Sequence, residues 1–218
     1  MWVRAWLLPA CLPSAKLSMK EYLVKRVTGA PEWESIPVMA VEEIMWLPDV
    51  GISMTAQIAY DETALYLHQK AVEKNIRAEG TELLSRVCED SCMEFFFSPC
   101  PADGRYMNFE LNPNGALHLG FGHGRHDSMR LLPKRVEERF QIRTSRTADG
   151  WELFYRIPLE FLQVLYPELK LESGVEMRAN CFKCGDCTEQ PHYLAWNPPT
   201  SENPDFHRPQ DFGALIFE

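Results

Sequence analysis

The chain has 218 residues, a length that fits one domain or two small ones. Its hydrophobic share of 45% excludes a disordered chain, and no apolar run reaches the roughly 18 residues of a membrane span, which argues against an integral membrane protein. With 31 Asp and Glu against 22 Lys and Arg the net charge is -9, and no basic tract is present, so nucleic acid and anionic lipid are excluded as main partners.

Residues 1–18 read as a leader or a mis-called start, because Arg4 precedes an apolar stretch that Pro9 and Pro13 interrupt. The fold is then a single domain over 19–218. From there the dominant period is two, the mark of half-buried strands. Runs at 22–27, 54–60 and 64–72 come first, the last two joined by Asp61-Glu62-Thr63 as a hairpin. Strands follow at 91–97, 106–112 and 116–121, the last pair turned by Pro113-Asn114-Gly115. A further hairpin joins 140–147 to 151–157 through Ala148-Asp149-Gly150, and 175–183, 192–196 and 212–217 complete the set. One short helix is expected at 159–166, with Pro158 at its first position and Pro167 as its stop. Many short strands and one stub of helix predict an all-β fold, a two-sheet antiparallel β-sandwich of jelly-roll or immunoglobulin-like type.

The seven cysteines, Cys11, Cys88, Cys92, Cys100, Cys181, Cys184 and Cys187, are odd in number and unevenly spread. They read as reduced thiols rather than a disulfide framework, which favours a cytoplasmic location; a signal peptide in residues 1–18 would instead mean secretion. Cys181-x2-Cys184-x2-Cys187 invites a zinc reading, but no second Cys-x2-Cys unit follows, so no metal is expected there. The run Gly120-Phe121-Gly122-His123-Gly124 opens no helix and lacks the Lys-Ser/Thr of a phosphate loop.

Alternation also picks out candidate binding residues. Asn108 and Glu110 share the polar face of one strand, and Arg178 and Asn180 that of another. Amides, a guanidinium and carboxylates suit sugar hydroxyls, which both donate and accept. Glu94 interrupts an apolar strand, where an unpaired carboxylate is costly. Trp196 ends a strand and enters a proline-stiffened loop, a place from which a ring can stack on a sugar face.

These motifs, in this order, resemble the stand-alone family 9-like carbohydrate-binding modules of the DOMON-like β-sandwich superfamily. The resemblance rests on Glu89-Asp90-Ser91-Cys92-Met93-Glu94-Phe95-Phe96, then Tyr106-Met107-Asn108-Phe109-Glu110-Leu111-Asn112, Gly150-Trp151-Glu152 through Ile157-Pro158, Ala195-Trp196 and Phe212-Gly213-Ala214-Leu215. It covers roughly 22–218. It implies non-catalytic capture of an oligosaccharide or sugar end, in a role that assists glycan breakdown. Its site would be Trp196 as the stacking ring with Asn180, Arg178, Glu94, Glu110, Asn108 and Lys183 reading hydroxyls. A second stacking tryptophan of the family would fall near Val87, where there is no aromatic, and an arginine would fall at Glu110, so the sequence does not support a two-ring sandwich; Trp46 or Phe206, from another loop, is a substitute that nothing in the sequence shows. Calcium also occurs in the family, but no Asp-rich loop here argues for it. Two other readings stand beside this one: a structural or interaction sandwich that lost the sugar site, and a glycoside hydrolase using Glu94 and Glu110. Nothing in the sequence sets an oligomeric state.

Overall fold

The computed structural model describes residues 19–218, so the expectation for 1–18 lies outside the described residues. Fourteen strands and two small helices make up the domain. In chain order they are β1 (Glu21–Arg26), β2 (Met39–Val41), β3 (Glu43–Ile44), β4 (Ser53–Tyr60), β5 (Ala64–Val72), β6 (Cys92–Ser98), β7 (Tyr106–Leu111), β8 (Leu117–Gly124) and β9 (Asp127–Arg130). Then follow α1 (Val136–Phe140), β10 (Arg143–Arg146), β11 (Gly150–Pro158), α2 (Leu159–Leu162), β12 (Glu176–Cys184), β13 (Tyr193–Ala195) and β14 (Gly213–Phe217).

The strands form where apolar residues alternate. Trp151, Leu153, Tyr155 and Ile157 bury one face of β11, and Met54, Ala56, Ile58 and Tyr60 do the same for β4. The β4–β5 hairpin is closed by Asp61, whose Oδ1 accepts from the backbone N–H of Thr63 and Ala64 at 2.7 and 3.0 Å. Pro158 is extended and caps α2 rather than opening it, and α2 is four residues long, with a looser turn carrying on to Tyr166. Of the expected strand 140–147, only 143–146 form β10, and Phe140, fully buried, instead ends α1. Two or three residues are too few for a period to show, which hides β2 and β3, and β9 carries only one apolar side chain.

All fourteen strands join in one curled sheet, along the path β10-β11-β5-β4-β1-β14-β12-β6-β7-β8-β9, with β2 on β4, β13 on β12 and β3 on the outer side of β13. The sheet folds over at β1 into two layers, which gives the sandwich. The fully antiparallel expectation needs one correction: β1 runs parallel to both β14 and β4. Its neighbours reach it from distant parts of the chain, so no tight hairpin forces them antiparallel. Between the layers lies the main core, where Phe109 of β7 meets Tyr155 of β11 with ring centroids 6.2 Å apart. The far face of the β14-β12-β6-β7-β8 layer is different. A second, smaller cluster (Phe96, Tyr106, Phe182, Phe206 and Phe212 among it) holds the chain that follows β13 against this face. Among the described residues no helix is long and apolar enough to cross a membrane.

Candidate functional site

The far face of that layer carries a cavity of about 300 Å³ beside the second cluster. Its floor consists of side chains from adjacent strands: Glu94 (β6), Glu110 (β7), His118 (β8) and Cys184 (β12). They converge because each sits at the outward position of its strand. Glu94 lies directly opposite Glu110 across β6–β7, Glu110 opposite His118 across β7–β8, and Cys184 opposite Cys92 across β12–β6.

The wall is aromatic. Trp46 packs on Phe206 at 5.3 Å and meets Tyr193 edge-on at 5.6 Å. Phe206 in turn stacks on Phe182 at 4.0 Å and 13°. Trp46 takes a left-handed backbone (φ 54°), a conformation non-glycine residues rarely adopt. It is held there by its indole Nε1–H, which donates to the Ser201 carbonyl at 2.9 Å. His207 closes the next stretch of wall; its Nδ1 lies 2.7 Å from the Tyr106 hydroxyl. Burial, reinforced by Arg125, lowers His207 to about 4, so it is neutral at neutral pH. Arg86, Arg125, Arg130, Asp186 and Asp205 stand at the rim, with Arg125 Nε paired to Asp205 Oδ1 at 3.3 Å.

Glu94 and Glu110 are both buried, and neither takes part in an ion pair among the described residues. Desolvation pushes both carboxyls above their usual range, and for Glu94 the facing Glu110 adds to the shift. Two carboxyls placed like this cannot both ionise cheaply, so a protonated member can donate to a ligand while an ionised one accepts. Asn108 is an adjunct: its Nδ2 donates to Glu110 Oε1 at 2.7 Å and fixes that carboxyl. Gly120 makes this possible, because a Cβ there would stand 2.4 Å from Asn108 Oδ1.

The other candidates lie elsewhere. Trp196 is 5% exposed and belongs to the main core, edge-on to Tyr22 at 6.5 Å and packed over Gly213, so its ring offers no face to a sugar. Asn180 is fully buried and holds the chain after β13, donating to the Asn197 carbonyl at 2.7 Å and accepting from the Asn197 N–H at 3.0 Å. Lys183 points to the opposite face of β12 and binds Glu73 at 3.0 Å inside the core. Arg178 pairs with Glu176 at 2.9 Å and lines a separate hollow with Ser98 and Gln210. Cys181 faces the main core while Cys184 faces the cavity and Cys187 is exposed, so the Cys-x2-Cys-x2-Cys run is not gathered at one point. His118, Arg130, Tyr193 and His207 were not singled out from sequence. The signal available was Gly120 and Gly122 alternating on the outward face of β8, which marks close approach to a strand surface.

The sequence profile of carbohydrate-binding family 9 matches residues 27–217. The chain belongs to that family. Family 9 members are non-catalytic carbohydrate-binding modules, so the chain is not an enzyme, and the hydrolase reading falls. A Bacteroides uniformis protein described as a candidate carbohydrate-binding protein is 31% identical over 92% of this chain and all of its own, with a TM-score of 0.79. A family 9 module from Caldicellulosiruptor kristjanssonii, solved with glucose, covers 91% of this chain and 96% of its own at 13% identity and a TM-score of 0.66. A family 9 module from the same organism solved with cellotriose covers 91% of this chain and 94% of its own at 13% identity and a TM-score of 0.66, and at that identity these two show the shared fold. No curated protein matches the chain.

Proposed function

We propose that this family 9 module binds the end of an oligosaccharide in the cavity between Trp46 and the Glu94–Glu110 floor. The observation that carries the reading is the pairing itself: an aromatic wall beside two protonatable carboxyls that no cation engages. Ring C–H groups of a sugar suit the face of Trp46, and its hydroxyls suit a carboxyl pair that both donates and accepts. At about 300 Å³ the cavity lies at the small end of ligand pockets, which fits one sugar end rather than a long chain. Arg130, unpaired with any carboxylate among the described residues, adds a donor at the rim. Captured ends would place the module at glycan chains under breakdown.

Calorimetric titration against glucose, cellotriose and a wider panel of sugars tests this. Saturable binding to one site is expected, weakened about tenfold or more in Trp46→Ala and unchanged in Arg178→Ala. Absence of binding to every sugar would instead favour a sandwich that kept the fold and lost the site, a reading that the burial of Trp196 supports.

A further inference from the structure

Beneath the sugar cavity, two thiols and a carboxylate come together. Cys92 and Cys184 face each other directly across β6–β12, and Glu94 lies two residues beyond Cys92 on the same face. One donor atom from each of Cys92, Glu94 and Cys184 falls within 4.8 Å of the others, and all three residues are buried. Cys184 Sγ stands 2.9 Å from Glu94 Oε1. The ammonium of Lys183, next in sequence to Cys184, is turned to the opposite face of β12, where Glu73 holds it.

This is an unusual set to bury. Neutral thiols are ordinary in a core, but a carboxyl beside them is costly to bury, and a hydrophobic residue would fill its space without that cost. One partner satisfies all three donors at once. We propose that Cys92, Glu94 and Cys184 hold a thiophilic divalent cation of the zinc class, with its remaining coordination position facing the cavity.

The chemistry fits. Zinc takes thiolate sulfur at about 2.3 Å and carboxylate oxygen at about 2.0–2.2 Å, so tetrahedral donors stand about 3.5–3.8 Å apart. The present donors bracket that spacing, with Cys184 Sγ and Glu94 Oε1 at 2.9 Å and all three within 4.8 Å. Two sulfur donors select zinc-like ions over calcium or magnesium, which prefer oxygen alone. The three donors approach from the floor, so a water or ligand oxygen would complete the shell from the cavity side. On binding, each thiol proton leaves for solvent as its metal–sulfur bond forms, and any proton on Glu94 leaves too. Burial holds Cys92 at about 12, and the hydrogen bond with Cys92, followed by burial, raises Cys184, so these protons compete with the metal and its affinity rises with pH.

Cobalt titration of the full chain, reduced and freed of metal by chelator, tests the site. One Co2+ per chain is expected, with the intense near-ultraviolet absorption of a thiolate-to-cobalt bond, and zinc should displace it. Cys92→Ser and Cys184→Ser should lose the absorption, and Cys187→Ser, at the exposed turn, should keep it. Glu94→Gln, which leaves both thiols in place, should weaken Co2+ binding at least about tenfold, and it decides the matter should a cysteine variant fail to fold. Folded wild-type protein without thiolate absorption overturns the proposal. So does absorption that survives Cys184→Ser, or a Glu94→Gln variant that binds Co2+ as tightly as wild type. None of these outcomes depends on whether a sugar binds.

Discussion

Lys183→Met is expected to destabilise the folded chain by about 3–5 kcal/mol, the cost of leaving a buried charge without its partner. Lys183 is fully buried, and its Nζ binds Glu73 Oε2 at 3.0 Å. Glu73 also accepts from Ser91 Oγ at 2.7 Å and from the Trp151 indole at 3.3 Å. The third arm is His192, whose Nε2 lies 2.8 Å from Lys183 Nζ. An ammonium can only donate, so that nitrogen accepts, and the ring proton sits on Nδ1, 2.7 Å from the Gln190 carbonyl. Burial together with the Lys183 charge holds His192 at about 4, which keeps it neutral at neutral pH. Removing Lys183 therefore strands the Glu73 carboxylate with two neutral donors. Adding Glu73→Leu to Lys183→Met should restore a large part of the loss, because a buried ion pair can be replaced by apolar residues at little cost while half of one cannot. Denaturant unfolding of the two single variants and the double variant measures this. Losses under about 1 kcal/mol in Lys183→Met, or a double variant no better than the single ones, would contradict the account.

Glu110→Gln is expected to stabilise the chain at pH 8 and to change little in strong acid. Burial holds the Glu110 carboxyl above its ordinary value of 4.5. Between that value and the raised one, the folded chain keeps a proton that the unfolded chain has released, so wild-type stability falls as pH rises through this window. A glutamine has no such proton, and its carbonyl still accepts from Asn108. Below the ordinary carboxyl value both states of the wild type are protonated and the difference closes. The two buried histidines work in the opposite direction. His192 and His207, both lowered to about 4, are protonated first in the unfolded chain, so their contribution is lost as pH falls from 6.5 towards 4. Both variant and wild type carry them, so they cancel in the comparison. A gain of equal size at both pH values would contradict this account, because burial of the Glu110 charge could not then be its source.

The sandwich was legible because its long strands alternate. The faces of β4, β5 and β11 could be read residue by residue, and pairing followed from the turns between them. The parallel edges of β1 could not be read, because its partners lie far away in the chain. The site was half legible. Glu94 and Glu110 stood out as carboxyls on strands with apolar faces, and both line the cavity. Trp196 lies in the core, as alternation indicates: along 193–196 it shares the face of Leu194, which is in the core, while Tyr193 takes the cavity face. Lys183 likewise shares its face with Cys181, not with Asn180. Asn180 does lie on the outward face, but its partner, Asn197, is brought to it only by the fold of the following loop. Trp46 and Phe206 come from two loops distant in sequence, and no periodicity connects them.

A crystal structure of the chain soaked with the sugar it binds best is the most direct test of the proposed site. The account predicts a sugar ring against Trp46 with hydroxyl oxygens within hydrogen-bonding distance of the Glu94 and Glu110 carboxyls. A sugar seated instead in the hollow beside Arg178, or on the surface near Trp196, would contradict it.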